Sequence, residues 1–117
     1  MSSPMDPHLP GGEAGLVLQV TRTDDQVVIR ASGELDLASE SVFRACVARV
    51  LAQRGTHLLL DLGQVGFIDA RGLAVLVAAR NQAVAGRGSL RVTRSSRSVV
   101  RLLEITGLDR VFPPPTG

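Results

Sequence analysis

Few residues of this 117-residue chain could do chemistry, and they are scattered. Asp24 and Asp25 are adjacent, and Asp61 and Asp69 each follow an apolar run. Cys46 is the single thiol, His8 and His57 stand far apart, and Ser95, Ser96 and Ser98 cluster. A phosphoacceptor aspartate at Asp61 or Asp69 would need an acidic pair at the end of the first strand to hold Mg²⁺. The only such pair, Asp24-Asp25, lies between two β-type runs, where Asp is turn chemistry, so both that role and metal binding are rejected. Gly86-Arg87-Gly88 follows a helical pattern instead of opening one and has no companion lysine, so it is no phosphate loop. No Ser/His/acid set assembles, because His8 is in the N-terminal segment and His57, read as a surface residue, stands alone. Cys46 falls on an apolar helical stripe, which predicts a buried, inert thiol. The sequence thus predicts no catalytic residue, no metal and no cofactor, and a binding module is favoured over an enzyme.

Composition narrows the partners. The chain is 44% hydrophobic and 21% charged, which suits one soluble domain with a real core. Phe43, Phe67 and Phe112 are its only aromatic residues, too few for a surface that stacks bases. The pI of 9.9 suggests nucleic acid, but it misleads. All 13 basic residues are arginine and there is no tyrosine, so a net charge of only +2 carries the pI into the guanidinium range. A charge of +2 steers weakly. Arg87, Arg91, Arg94, Arg97 and Arg101 therefore read as a solvated face, and no direct nucleic-acid partner is expected. One cysteine fits a reducing compartment. "MSSPMDPHLPGGEAG" has neither a basic n-region nor an apolar h-region, and no run approaches the length of a membrane span. The expectation is a cytoplasmic protein with no membrane partner.

The elements that must position any site follow from periodicity. Residues 1–13, rich in proline and glycine, read as a flexible tail. "LVLQV" and "VVIRASG" flank "TRTDDQ" as a strand–turn–strand. Ser39 is a candidate N-cap with Glu40 in the first turn. Phe43, Cys46, Val47, Val50 and Leu51 recur at helical spacing until Gly55. "HLLLDL" reads as a strand covered on both faces. In "VGFIDARGLAVL" (65–76) a strand ends at Asp69 and a helix begins at once, running to about Ala85. Leu73, Leu76, Val77 and Val84 form its apolar face, with Gly86 and Gly88 as its stop. "SLRVT" is a further strand. A helix capped by Ser96 follows, with Val99, Leu102 and Leu103 inside and Gly107 at its end. "RVF" reads as a last short strand before a tail at 113–117. Alternation after the opening hairpin calls for a mostly parallel sheet with right-handed crossovers, an α/β domain. The junction at Asp69 offers backbone N–H groups and a helix dipole, yet Ala70 at its tip is inert.

Two segments carry a resemblance. "SGELDLAS" and, some way on, "LLLDLGQVGFIDARGLAVL" are similar to the two hallmark segments of the STAS family, the bacterial anti-sigma-factor antagonists and their relatives. The likeness continues through "RVTRSSRSVVRLLEITGLDRVF" and covers residues 16–112, so 14–112 is expected to be a STAS domain. The resemblance implies a mixed β-sheet with helices packed on one face. It also implies a role, binding an anti-sigma factor of the serine-kinase type so that a sigma factor is released. Glu34 and Asp36 match the acidic pair of the first segment, Asp69 the aspartate of the second, and Gly72 and Leu73 its Gly-Leu. With Ala70 and Arg71 these are the expected partner-binding residues.

The chain departs from the family at the switch. Relatives are phosphorylated on the serine after that aspartate, and here Ala70 holds the position; Arg71 replaces a residue that is also often serine. The surface is expected to stay in the unphosphorylated, binding-competent state, with Ser95, Ser96 and Ser98 as the alternative acceptors. Arg71 either meets an acidic feature of the partner or reflects drift on a solvent face. The family's extra C-terminal helix is not expected after Phe112. Two alternatives stay open. One is a non-switching scaffold or regulatory subunit of a stress-signalling assembly or a transporter ATPase. The other is a phosphate- or nucleotide-binding module using the helix start at 70–72.

Overall fold

The computed structural model describes residues 15–113. The tail expected at 1–13 lies outside them, as does all of the C-terminal one but Pro113. Strands β1 (Leu16–Arg22) and β2 (Gln26–Leu35) form the expected hairpin, antiparallel, with Leu16 opposite Gly33 and Arg22 opposite Val27. Asp24 and Asp25 sit in its turn, closed by the Thr23 N–H donating to the Gln26 carbonyl at 2.9 Å. Helix α1 (Glu40–Leu51), β3 (His57–Ile68), α2 (Ala70–Ala85), β4 (Ser89–Ser95) and α3 (Arg97–Thr106) follow. The strands lie in the order β1-β2-β3-β4, with β2–β3 and β3–β4 parallel, so each parallel pair is joined through a helix. This is the mixed sheet expected.

Its two faces differ sharply. Val27, Leu58 and Leu90 align across three strands, as do Ile29, Leu60 and Val92, and all six are buried under the helices. They join Phe43 and Val47 of α1, Leu73 and Leu76 of α2, and Val99 and Leu103 of α3 in one core. The row Arg30–Asp61–Arg94 lies on the other face, with Arg30 and Arg94 exposed and Val28 and Leu59 partly so. The expectation that "HLLLDL" is covered on both faces is therefore wrong. Leu58, Leu60 and Leu62, two residues apart, all turn to the core, and only Leu59 of the run lies on the other face, half-exposed.

Other differences are local. "RVF" is not a strand. After left-handed Gly107 (φ 75°) the chain makes a 3₁₀ turn at Leu108–Arg110, and the Phe112 N–H reaches back to the Leu108 carbonyl at 2.9 Å. Phe112 is thereby 2% exposed and plugs the core, which a strand at this edge would not achieve. On α2, Val84 is 53% exposed, while Val75, Ala79 and Ala83 share the buried side with Leu73 and Leu76. An alanine-rich helix hides its inner face, since small residues are buried as readily as large ones.

Helix α2 ends in an unusual Gly-Arg-Gly. The Arg87 N–H donates to Val84 O at 3.0 Å and the Gly88 N–H to Ala83 O at 2.8 Å, a Schellman turn. The left-handed residue in it is Arg87 (φ 67°), not a glycine. Gly88 is needed for contact instead, because a Cβ there would lie 1.9 Å from the Thr56 carbonyl oxygen. The two positions should respond oppositely in urea denaturation. Arg87→Gly should stabilise by about 0.5–1 kcal/mol, relief of left-handed strain outweighing the entropy of a freer unfolded chain. Gly88→Ala should cost about 3 kcal/mol or more. Equal stability of Gly88→Ala and the unaltered chain would contradict this packing.

Candidate functional site

Asp69 stands between β3 and α2 in extended backbone (φ −119°, ψ −172°). One carboxylate oxygen, Oδ1, accepts from the Arg71 N–H at 2.9 Å and from the Gly72 N–H at 3.2 Å, so the acid caps α2. Ala70 and Arg71 project from this first turn into solvent, whereas Gly72 and Leu73 are buried beneath it. A Cβ on Gly72 would lie 2.4 Å from the Leu35 carbonyl oxygen, which itself accepts from the Asp69 N–H at 3.1 Å. The two amides that a bound phosphate would want are already held by a carboxylate. That disfavours the anion-binding alternative at 70–72.

The same contact ties α2 to the end of β2, where the other expected residues lie. Glu34 is exposed and pairs across the sheet with Phe67. Beyond Leu35 the chain turns into α1 through Asp36 and Ser39. Ser39 occupies the N-cap position but makes no side-chain bond to the helix. Its hydroxyl, fully buried, donates to the Glu34 carbonyl at 2.6 Å and accepts from the Asp36 N–H at 3.1 Å. The Asp36 carboxylate in turn accepts from the Ser39 N–H at 3.1 Å. The serine therefore closes the loop on itself. Asp36 is spent on that closure, while Leu37 at the tip is 63% exposed.

Arg71 meets an acid of its own chain. Its Nη1 lies 3.4 Å from Oε1 of Glu40, and Arg44 binds the other oxygen of the same carboxylate. Two cations thus share one anion across the start of α1 and the start of α2. Glu34, Asp36, Asp69, Ala70, Arg71, Gly72 and Leu73 gather at one end of β2 and β3. They divide into an exposed set (Glu34, Ala70, Arg71), a half-buried pair (Asp36, Asp69) and a buried support (Gly72, Leu73).

The remaining candidates are placed elsewhere. His57 is half-buried, with Nδ1 2.8 Å from the Ser89 hydroxyl on β4, and is not the free surface residue expected. Asp61, nearly buried, accepts from the Gly63 N–H at 3.0 Å and faces Arg30 Nε at 3.5 Å. Cys46 is half-buried, not buried as expected, and burial pushes its thiol up against the smaller opposing pull of Arg49 and Arg22. The Ser96 hydroxyl caps α3 by accepting from the Val99 N–H, and the Ser98 hydroxyl donates to the Gly66 carbonyl at 2.9 Å. Among the described residues no three His, Cys, Asp or Glu side chains converge as a metal site would need. None of their helices is long and apolar enough to cross a membrane.

Sequence reasoning missed Leu37 and Glu40. No sequence signal marked Leu37, since single exposed apolar side chains are ordinary on a protein surface. No sequence signal links Glu40 to Arg71, since 31 residues separate them.

The family model for the STAS domain matches residues 17–116. The anti-sigma-B factor antagonist of Bacillus subtilis is 31% identical over 95 residues, covering 81% of this chain and 86% of the relative. The anti-sigma-F factor antagonist RsfB of Mycobacterium tuberculosis is 32% identical over 92 residues, 73% of this chain and 69% of that one. Among solved structures, an anti-sigma factor antagonist from Mycobacterium paratuberculosis superposes with a TM-score of 0.78 at 25% identity, covering 100% of this chain and 92% of the other. With its mixed four-stranded sheet and its capped junction at Asp69, the chain belongs to the STAS domain family.

Proposed function

We propose that this protein is an anti-sigma-factor antagonist. It binds an anti-sigma factor of the serine-kinase type in the cytoplasm and so frees a sigma factor for transcription, with no catalytic step of its own. The curated relatives bear the antagonist role in their names. The single observation that carries the reading to this site is the capped first turn of α2, which presents Ala70 and Arg71 to solvent beside Glu34. By family resemblance Ala70 stands where relatives carry the phosphorylated serine, so this chain is an antagonist without the usual switch. A phosphate there would add about −1.5 to −2 charges next to the Asp69 carboxylate and repel a docked partner. Alanine leaves the surface permanently in the apolar, unmodified form.

The test is titration of an anti-sigma kinase with variants at position 70. Ala70→Asp puts a carboxylate on a surface that must be desolvated, and binding should weaken about a hundredfold. Its melting temperature should hardly change, because an acid in the first turn of a helix is favoured by about 0.3–1 kcal/mol. Ala70→Ser should bind as the unaltered chain does and should take phosphate from ATP in the presence of the kinase. A folded Ala70→Asp protein with undiminished affinity would remove this junction from the interface. Phosphate on Ser95, Ser96 or Ser98 of the unaltered chain would mean that a switch operates at α3.

A further inference from the structure

The outer face of α1 carries a groove beside this junction. Its volume is about 390 Å³, and Leu37, Glu40, Ser41, Arg44, Ala45 and Ala48 line it. A second hollow of about 220 Å³ lies between α1 and α2 and shares Arg44 and Ala48 with the first. Together they make one trough from Leu37 past Arg44 into the helix–helix crevice. The exposure of Leu37 is built in, because the buried Ser39 hydroxyl fixes the loop that carries it. At the end near α2 two cations meet one anion. Arg44 and Arg71, with side chains 54% and 60% exposed, share the one carboxylate of Glu40. An occupant that covers Leu37 while supplying anionic groups would satisfy both features.

We infer that the trough receives an acidic amphipathic segment of the anti-sigma factor, an apolar side chain seating on Leu37 and carboxylates displacing Glu40 from Arg44 and Arg71. This rests on the function proposed above and extends its surface from α2 onto α1. Glu40 is then an internal competitor for the arginines, and removing its charge should tighten the complex.

The probe is the purified serine-kinase-type anti-sigma factor, titrated into each variant by calorimetry, with circular dichroism to establish folding. Leu37→Ala should bind about tenfold more weakly. Arg44→Ala should bind about fivefold more weakly and with a shallower dependence on salt. Glu40→Gln should bind about threefold more tightly, while Asp24→Asn, the same charge change at the distant hairpin turn, should bind as the unaltered chain does. Unchanged affinity in both Leu37→Ala and Arg44→Ala, or weaker binding by folded Glu40→Gln, would overturn the trough. If Ala70→Asp alone abolishes binding, the junction stands and the trough falls. If the unaltered chain binds no such factor, the proposed function falls and this inference with it.

Discussion

Helix α2 starts against the Leu35 carbonyl, and only a residue without a side chain can stand at the point of contact. A Cβ on Gly72 would lie 2.4 Å from that oxygen. Glycine inside a helix costs about 1 kcal/mol relative to alanine, so the sequence accepts a weaker helix in exchange for the approach. That approach has several consequences. It lets the Asp69 N–H bond Leu35 O, brings the first turn of α2 beside the loop leaving β2, and puts Arg71 within reach of Glu40. Without it the exposed residues of the two segments would not share a surface.

The second device is Ser39. An N-cap serine would normally spend its hydroxyl on its helix, but this one is buried and turned backward onto Glu34 and Asp36. A buried hydroxyl with both donor and acceptor roles satisfied is a strong local constraint, because each lost bond leaves an unpaired polar group in the core. The loop it closes holds Leu37 out in water. Rigidity there lowers the ordering cost of an interface, which is where a preformed binding surface gains affinity. The charge chain Arg71–Glu40–Arg44 then joins the two helix starts above this loop, its two arginines well exposed and its carboxylate largely covered.

The order of strands and helices was legible because the period of apolar residues changes cleanly at Ser39, Asp69 and Ser96. So were the Asp69 junction and the hairpin turn at Asp24-Asp25, whereas Cys46, expected to be buried, is half-buried. What failed did so for identifiable reasons. "RVF" has strand-forming residues, but its outcome was decided by where Phe112 could be buried. Val84 looked like a core residue by spacing, yet alanines at 79 and 83 took the inner positions. Arg87 holds a left-handed turn between two glycines, because the tight contact lies one residue later at Gly88. Of the candidate site, the residues near Asp69 were visible through their motif, and their division into exposed and buried was not. Ser39 looked like an ordinary cap, and the Glu40–Arg71 pair depends on a long-range approach that no local pattern encodes.

The proposed function turns on an anti-sigma factor binding the surface made by the capped start of α2 and the loop leaving β2. Amide chemical-shift mapping of the isotope-labelled protein, titrated with an unlabelled serine-kinase-type anti-sigma factor, tests it most directly. Shift changes should concentrate at 34–40 and 69–73 and along the outer face of α1, with the exposed sheet face around Arg30 and Arg94 silent. Changes confined to that sheet face or to the hairpin turn at Asp24, with the Ala70 and Arg71 amides unmoved, would contradict it.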